Sequence, residues 1–284
     1  MLPDIVLQTD FGLTTGFVAS MYGVIRMVDQ SLDVFDLNHE IRPFDMRQGS
    51  FLLRDTIPYW KGGTVFVSVV DPGVGTARRG CVAKLNNGSF VVTPDNGSLT
   101  AILDWVVAVR EIDESVNRLK GSDKANSFHG RDVFAYTAAR LAGGIINFEG
   151  VGPEYPVSEI VTFETTHGTV APGRAEGEIA GCTKHFGGAG TNIDVDEFEK
   201  TGIVYGDMTH VTIVKNGETL FDQDVLYNKS FGFVPEGEPI LYNGSTTPTI
   251  ALSLNKRSFA EKFLPHIFDT GENFGDYKIT IVKK

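Results

Sequence analysis

The stretch that decides the fold is Thr64-Val65-Phe66-Val67-Ser68-Val69-Val70, which runs directly into Asp71-Pro72-Gly73-Val74-Gly75. The first part is a short run of β-branched and aromatic residues, a pattern that predicts a buried strand. The second part is a glycine-rich turn, where a ligand can approach the backbone closely. Because ligands of open α/β sheets lie beyond the carboxyl ends of the strands, the sequence predicts a binding edge at Asp71.

The rest of the first half alternates strand and helix signals around this stretch. Asn87-Gly88 is a typical hairpin turn between two apolar runs. Strands that alternate with helices predict an α/β domain with a mostly parallel sheet. Further strands are predicted at Ile5–Gln8, Asp33–Leu37, Gly80–Leu85 and Ser89–Thr93, and helices at Thr14–Val28, Asp45–Ile57 and Asp132–Leu141.

The second half is dominated by short strands. Thr165–Gly173 is rich in glycine and threonine and predicts a linker, so we place domains at residues 1–170 and 171–284. Only Lys256–Phe263 predicts a helix, and the pattern as a whole favours a small barrel or sandwich. Strands are predicted at Gly177–Cys182, His210–Lys215, Thr219–Asp222, Pro239–Tyr242, Thr249–Leu254 and Tyr277–Val282.

Composition excludes several classes of function. The net charge of −11 without a basic run disfavours a nucleic-acid partner, and the apolar stretches are too short to span a membrane. The opening Met1-Leu2-Pro3-Asp4 lacks the features of a signal peptide, and Cys81 and Cys182 belong to no paired motif. We therefore expect a cytoplasmic protein without disulfides. The six histidines show no ligand spacing, so we expect no metal site.

Four polar residues lie where the α/β pattern predicts a site: Asp10 after the first strand, Asp71 and Arg78 around the glycine-rich turn, and His129 before the third helix. An acid, a permanent cation and an imidazole are the groups needed to activate water, with the carboxylate orienting or deprotonating the imidazole. Each signal alone has a simpler interpretation. Asp-Pro-Gly is commonly a plain turn, a lone histidine before a helix is commonly a cap or a core residue, and two adjacent arginines can be a solvated surface pair.

Taken together, several segments are far more specific. In chain order they are Thr9-Asp10-Phe11-Gly12, Asn38-His39-Glu40-Ile41-Arg42-Pro43, Val69-Val70-Asp71-Pro72-Gly73-Val74-Gly75-Thr76 with Arg78-Arg79, Thr93-Pro94-Asp95-Asn96-Gly97, Phe128-His129-Gly130-Arg131-Asp132, Thr191-Asn192-Ile193 and Val234-Pro235-Glu236-Gly237-Glu238. This set resembles the S-adenosyl-methionine hydroxide adenosyltransferase family, which is related to the fluorinating and chlorinating enzymes, and it covers nearly the whole chain.

The resemblance implies an N-terminal α/β domain, a C-terminal β-barrel domain and a homotrimer with active sites between neighbouring subunits. It implies catalytic roles for Asp71, Arg78 and His129, and it implies that Asp10 accepts hydrogen bonds from the ribose hydroxyls. It implies no cofactor, since S-adenosyl-methionine is the substrate. The remaining substrate-binding residues expected from it are Phe44, Phe128, Gly130, Phe186, Asn192, Phe231 and Ser245.

The same comparison favours water over halide as the nucleophile. The halogenating relatives replace the acid at the Asp71 position and lack the histidine, whereas this chain has both Asp71 and His129. Gly130 stands where the fluorinating enzymes carry a serine that helps to hold fluoride. We therefore expect a hydrolase that converts S-adenosyl-methionine to adenosine and methionine.

The chain departs from the family pattern at the methionine end of the pocket. Thr15 and Thr183 stand where the family usually has acids, and Gly188 stands where it has an asparagine. Asp194 or Asp196 can substitute, or the enzyme can act on another 5′-substituted adenosine, for which Lys184 would suit a negatively charged tail. Lys184 and His185 can equally point to solvent. A catalytically silent trimeric adenosine-binding protein is the non-enzymatic alternative.

Overall fold

The computed structural model describes residues 2–269 and 271–284, and the chain divides into two compact units between Phe163 and Glu164. The sequence placed this boundary near residue 170. The predicted linker Thr165–Gly173 is wrong in part, because Thr169–Ala171 forms a strand that pairs with residues 174–176. Main-chain pairing, which the glycine- and threonine-rich composition does not reveal, assigns this stretch to the second unit.

The first unit contains a seven-stranded sheet in the order β2-β1-β3-β5-β4-β6-β7. Its pairings are parallel from β2 to β5 and antiparallel from there to β7. The predicted hairpin at Asn87-Gly88 joins β4 to β5, with Gly88 in the left-handed region that this turn requires. The strands are β1 (Ile5–Thr9), β2 (Val34–Asn38), β3 (Val65–Val69), β4 (Gly80–Leu85), β5 (Phe90–Pro94), β6 (Val106–Glu111) and β7 (Glu154–Tyr155).

Within the described part of this unit, three α-helices accompany the sheet: α1 (Phe17–Val28), α2 (Met46–Thr56) and α3 (Tyr136–Ala142). The Asp45 side chain caps α2 by accepting a hydrogen bond from the Gln48 N–H. A π-helical turn, Gly130–Ala135, leads into α3, so the helix starts earlier than the predicted Asp132. Wide turns of this kind are rare and occur mostly at functional sites.

The second unit is a closed barrel, which confirms the barrel expectation over a sandwich. Seven strands form the ring β9-β10-β14-β13-β12-β11-β15, which closes through the pairing of β15 with β9, while β8 is attached to β9. The strands are β8 (Thr169–Ala171), β9 (Arg174–Cys182), β10 (Ala189–Asp194), β11 (Met208–Lys215), β12 (Glu218–Tyr227), β13 (Pro239–Asn243), β14 (Thr249–Leu254) and β15 (Tyr277–Lys283), with helices α4 (Val195–Glu199) and α5 (Phe259–Phe263).

The core of each unit follows from the strand pattern. Every residue of β1 and β3 is buried, as expected for central strands covered on both faces. In the barrel, β10 alternates buried and half-buried positions, as expected for strands with one face inside. Within the described residues, no helix combines the length and the apolar character required to cross a membrane.

Candidate active site

Two carboxylates lie at the carboxyl edge of the first sheet. Asp10 follows β1 and Asp71 follows β3, and these strands are parallel neighbours with Thr9 opposite Val69. Burial raises the pKa of Asp10, hydrogen bonds from the Phe44 and Asp10 N–H groups oppose that rise, and the negative charge of Asp71 adds to it. The two carboxylates are therefore close enough for the charge of one to shift the pKa of the other. Both lie at the edge of the sheet where the sequence predicted a site.

Arg78 folds back over the glycine-rich turn to pair with Asp71. Its Nε donates to Asp71 Oδ1 at 2.9 Å, and its Nη2 donates to Oδ2. The two side chains are only 10% and 5% exposed, so the pair is largely removed from water. A Cβ at Gly73 would lie 3.2 Å from Arg78 Cγ, which shows why the turn needs a small residue beneath the arginine. A bidentate pair of this kind fixes both groups in one plane.

His129 extends the pair on the far side of Arg78. Arg78 Nη2 lies 3.1 Å from His129 Nδ1, and His129 Nε2 lies 2.8 Å from Asn126 Oδ1. A guanidinium only donates, so Nδ1 accepts the hydrogen bond and Nε2 carries the proton of a neutral imidazole. Burial lowers the pKa of His129, and the positive charges of Arg78 and Arg118 lower it further against the opposing charges of Glu114 and Asp71.

The three predicted catalytic residues therefore form one chain, Asp71–Arg78–His129. Its order differs from the expected one, since the guanidinium rather than the carboxylate contacts the imidazole. Arg78 follows Asp71 by seven residues across the tight turn, so its side chain folds back over Asp71 and reaches His129, which directly precedes the π-helical turn. His129 is 3% exposed, and its two ring nitrogens both have partners.

Three residues that the sequence did not predict for the site lie around the imidazole: Asn126, Arg118 and Glu114. Asn126 Oδ1 accepts from His129 Nε2 and also from Arg118 Nη1 at 3.0 Å. Arg118 in turn donates to Glu114 Oε2 at 2.7 Å, and Glu114 Oε1 lies 3.8 Å from His129 Nδ1. The only signal for Asn126 in the sequence is its position three residues before His129.

Phe44 contributes its backbone to the Asp10 carboxylate. Its N–H donates to Asp10 Oδ2 at 2.9 Å, and its φ of 67° lies in the left-handed region that a phenylalanine rarely adopts. The Phe44 side chain is 65% exposed. A strained backbone and an exposed aromatic ring next to a half-buried carboxylate are features of a ligand site.

Phe128 and Gly130 flank His129 and meet the turn that follows β1. Phe128 packs edge-to-face on Phe11 and Phe17, with ring centroids 5.7 Å and 5.3 Å away. A Cβ at Gly130 would lie 3.0 Å from two atoms of the Phe11 ring. A side chain at position 130 would therefore press against Phe11, so the glycine permits this packing.

Four predicted substrate-binding residues belong to the second unit. Phe186 is 81% exposed, and Ser245 is exposed in the turn before β14. Phe231 packs edge-to-face on Tyr242 at 4.9 Å. Asn192 Oδ1 accepts from the Glu178 N–H at 2.8 Å, and its Nδ2 donates to Thr166 Oγ1 at 3.2 Å. The amide of Asn192 thus joins β10 to β9, and its role in substrate binding stays a prediction.

Two family models match the chain in the order of its two units. The model described as SAM hydroxide adenosyltransferase N-terminal domain matches residues 5–152, and the corresponding C-terminal domain matches residues 178–270. The chain belongs to the SAM hydroxide adenosyltransferase family. The first match contains Asp10, Asp71, Arg78 and His129, and the second contains Phe186 and Phe231.

Individual relatives agree with this family. A protein of Thermus thermophilus named (R)-S-adenosyl-L-methionine hydrolase is 34% identical over 265 residues, which are 89% of this chain and 92% of that protein. One of the same name from Salinispora arenicola is 44% identical over 146 residues, so the chain matches only about half (54%) of that relative's length. A crystal structure of an uncharacterized conserved protein from Thermotoga maritima superimposes with a TM-score of 0.85 at 30% identity, covering 98% of this chain and 99% of that one.

Gly188, one of the positions where the sequence departs from the resemblance, lies beside polar side chains. A Cβ at Gly188 would lie 3.4 Å from Tyr242 Oη, 3.6 Å from Ser253 Oγ and 3.7 Å from Thr183 Oγ1. Thr183 Oγ1 also accepts from the Gly188 N–H at 3.2 Å. Three hydroxyl groups thus lie next to Gly188, while Lys184 and His185 are exposed.

Proposed function

We propose that this protein hydrolyses S-adenosyl-L-methionine to adenosine and L-methionine by attack of water or hydroxide at the 5′ carbon. The observation that carries the proposal is the largely buried Asp71–Arg78–His129 chain beside Asp10, at the binding edge of the sheet. The Thermus relative named (R)-S-adenosyl-L-methionine hydrolase, which the chain matches over 92% of its length, supports the same activity.

The chemistry explains why such a chain is needed. The sulfonium is a good leaving group, but water is a poor nucleophile toward a saturated carbon. As the carbon–oxygen bond forms, the carbon–sulfur electron pair passes to sulfur and water loses a proton. A negative nucleophile that neutralises a sulfonium is favoured where bulk solvent is excluded. Holding the water in line with the breaking bond supplies the orientation.

The hydrogen bonds assign different tasks to the three residues. Each Asp71 oxygen has a second lone pair beside the one that faces Arg78, so the carboxylate is the proton acceptor for water. Arg78 supplies the permanent positive charge that stabilises the developing hydroxide. His129 accepts from Arg78 and donates to Asn126, so the neutral imidazole holds the guanidinium in place.

Asp10 binds the ribose in this scheme. Its half-buried carboxylate accepts hydrogen bonds from the Phe44 and Asp10 N–H groups, and its remaining lone pairs leave acceptor capacity for the two ribose hydroxyls. The Phe44 N–H donates to Asp10, and Phe128 packs on Phe11, the residue that follows Asp10. We assign both phenylalanine rings to apolar contacts with the nucleoside. These contacts fix the 5′ carbon relative to Asp71.

A second candidate function is the same chemistry on another 5′-substituted adenosine. It is favoured by Thr183 and Gly188, which remove an acid and an amide from the family pattern, and by the exposed Lys184. An ammonium group that is desolvated needs a carboxylate or several acceptors, and the hydroxyls around Gly188 supply only neutral partners.

The deciding experiment incubates the purified protein with S-adenosyl-L-methionine and quantifies adenosine and methionine by chromatography. Equal amounts of both products from the wild type, and a strong loss in Asp71→Asn, support the hydrolase. Copurified adenosine without turnover indicates the silent binding protein. A larger thermal shift with another 5′-substituted adenosine than with S-adenosyl-L-methionine indicates the second substrate class.

We propose further that the protein is a cytoplasmic homotrimer with active sites between neighbouring subunits and that it requires no cofactor. The family resemblance supports the trimer and the absence of a cofactor, and two cysteines that belong to no paired motif fit a reducing cytoplasm. Sedimentation velocity of the purified protein tests the assembly, since a trimer has three times the mass of 31.0 kDa. Activity that survives exhaustive dialysis against a chelator supports the absence of a metal requirement.

A further inference from the structure

His39 is a buried imidazole that the proposed reaction does not use. It is 4% exposed, and its Nδ1 lies 2.8 Å from Thr9 Oγ1. Its Nε2 lies 2.7 Å from Asp36 Oδ1, and Asp36 also accepts from the Tyr22 hydroxyl. The imidazole thus joins the end of β1 to β2 and, through Asp36, to α1. A fully paired polar network inside a sheet edge fixes one arrangement of the segments it connects.

The Thr9 side of this network leads directly to Asp10. Thr9 is completely buried at the end of β1, one residue before the carboxylate. Its Oγ1 accepts from the Phe11 N–H at 3.2 Å, so its own hydroxyl proton is free to be donated to His39 Nδ1. The Gly12 N–H donates to the His39 carbonyl at 2.8 Å. His39 therefore holds the Asp10–Gly12 turn through both its side chain and its backbone.

The same residue begins the segment that reaches Asp10 from the other side. Five residues after His39, the Phe44 N–H donates to Asp10 Oδ2 from a left-handed backbone conformation. Such a conformation persists only where its surroundings hold it. His39 thus contacts the Asp10–Gly12 turn and also begins the segment whose Phe44 N–H binds the Asp10 carboxylate.

We propose that His39 is a positioning residue that sets the affinity for the ribose by holding Asp10 through Thr9. The proposal rests on the proposed function in one respect, the assignment of the ribose to Asp10. The Thr9 contact carries the effect, because Thr9 is completely buried, whereas the Asp36 side chain is 47% exposed and can be hydrated when its imidazole partner is lost.

Two substitutions separate the two arms of the imidazole. In His39→Asn the side-chain amide reaches the position of Nδ1 and retains the Thr9 contact, whereas in His39→Gln it reaches the position of Nε2 and retains the Asp36 contact. Thr9→Val keeps the shape of Thr9 and removes the hydroxyl that contacts both His39 and the Phe11 N–H, and Asp36→Asn alters the far arm alone. We expect His39→Gln to raise KM about tenfold with kcat changed less than threefold, roughly the loss of one buried hydrogen bond, and Thr9→Val to raise KM by at least as much. We expect His39→Asn and Asp36→Asn to stay within about threefold of the wild type.

A ligand-free measurement accompanies the kinetics. Hydrogen exchange of the peptides that cover residues 9–12 and 40–45 is expected to be faster in His39→Gln and Thr9→Val than in His39→Asn. A purely structural role predicts a lower Tm in all four variants, less active protein and an unchanged KM, and that outcome overturns the proposal. Equal behaviour of His39→Asn and His39→Gln overturns it as well.

The exchange data distinguish failure of this proposal from failure of the proposed function. If the wild type does not release adenosine from S-adenosyl-L-methionine, the proposed function fails. The expected contrast in exchange between the asparagine and glutamine variants then still supports the hold of His39 on Asp10, and its absence still overturns it.

Discussion

The guanidinium of Arg78 pairs with the carboxylate of Asp71 through two parallel hydrogen bonds, with Nε 2.9 Å from Oδ1, and both side chains are nearly buried. A buried ion pair is a poor device for stability alone, because the cost of removing both charges from water offsets much of their attraction. The pair is better explained by a reaction in which negative charge develops on an oxygen beside it.

The substitution Asp71→Asn removes the proton acceptor and keeps the shape of the side chain. We expect kcat to fall by about 10²–10⁴, the usual contribution of a positioned base. We expect a fall in the same range for His129→Ala, because the imidazole no longer holds Arg78 in place. Steady-state kinetics with S-adenosyl-L-methionine measure it. Asp104→Asn is the matched control, because Asp104 also pairs with an arginine but is 59% exposed. Full activity in both Asp71→Asn and His129→Ala would remove these residues from the mechanism.

Arg78→Lys keeps the positive charge but loses the separate Nε and Nη2 donors that contact Asp71 and His129. We expect kcat to fall by about 10²-fold, because the ammonium lacks the planar fork that orients both neighbours. The control is Arg54→Lys, whose arginine pairs with the exposed Asp104. An Arg78→Lys enzyme as active as the control would show that charge alone is required.

The lowered pKa of His129 predicts a direction for the pH dependence of stability. Burial favours the neutral ring, so below the ordinary value of 6.5 the unfolded chain binds a proton that the folded chain resists. The contribution of His129 is therefore present above pH 6.5 and is lost as the pH falls toward its lowered pKa.

Thermal unfolding at about pH 7.5 and pH 5.5 measures this effect. The fall in Tm on acidification is expected to be smaller in His129→Asn than in the wild type, and His266→Asn, whose histidine is 73% exposed, serves as the control. A fall that is equal in His129→Asn and the wild type would refute the lowered pKa.

The raised pKa of Asp10 predicts that removing its charge increases stability and weakens ligand binding. Its folded pKa is raised by burial, so its ionisation costs stability: that cost is absent below the ordinary 3.8 and grows as the pH rises through the raised pKa. At neutral pH, Asp10→Asn is therefore expected to raise the Tm of the ligand-free protein and to weaken adenosine binding by about tenfold or more.

Scanning calorimetry and titration calorimetry check both halves of this prediction. Asp33→Asn, at an exposed aspartate, is expected to leave both quantities unchanged. A lower Tm in Asp10→Asn, or adenosine binding equal to that of the wild type, contradicts the role of this carboxylate.

The sequence predicted the features that depend on residues close together in the chain. The apolar run before Asp71 forms β3, and Asn87-Gly88 forms the predicted hairpin turn between β4 and β5. The short strands of the second half form a barrel. Strand β10 was missed because Ala189-Gly190-Thr191 has little strand propensity, and its pairing with β9 and β14 defines it.

Contacts between distant residues account for what the sequence did not reveal at the site. The glycine-rich turn and His129 were found from their positions beside strands and helices, whereas the order Asp71–Arg78–His129 depends on how far Arg78 folds back. Asn126 has no local motif, and the π-helical turn after His129 begins at Gly130, whose close neighbours Phe11 and Val69 are distant in sequence.

The most direct test of water as the nucleophile is an isotope measurement. The purified protein is incubated with S-adenosyl-L-methionine in ¹⁸O-labelled water, and both products are analysed by mass spectrometry. Attack by a solvent molecule held at Asp71 predicts one ¹⁸O atom in the 5′-hydroxyl of adenosine and none in methionine. Adenosine that forms without the label would contradict it.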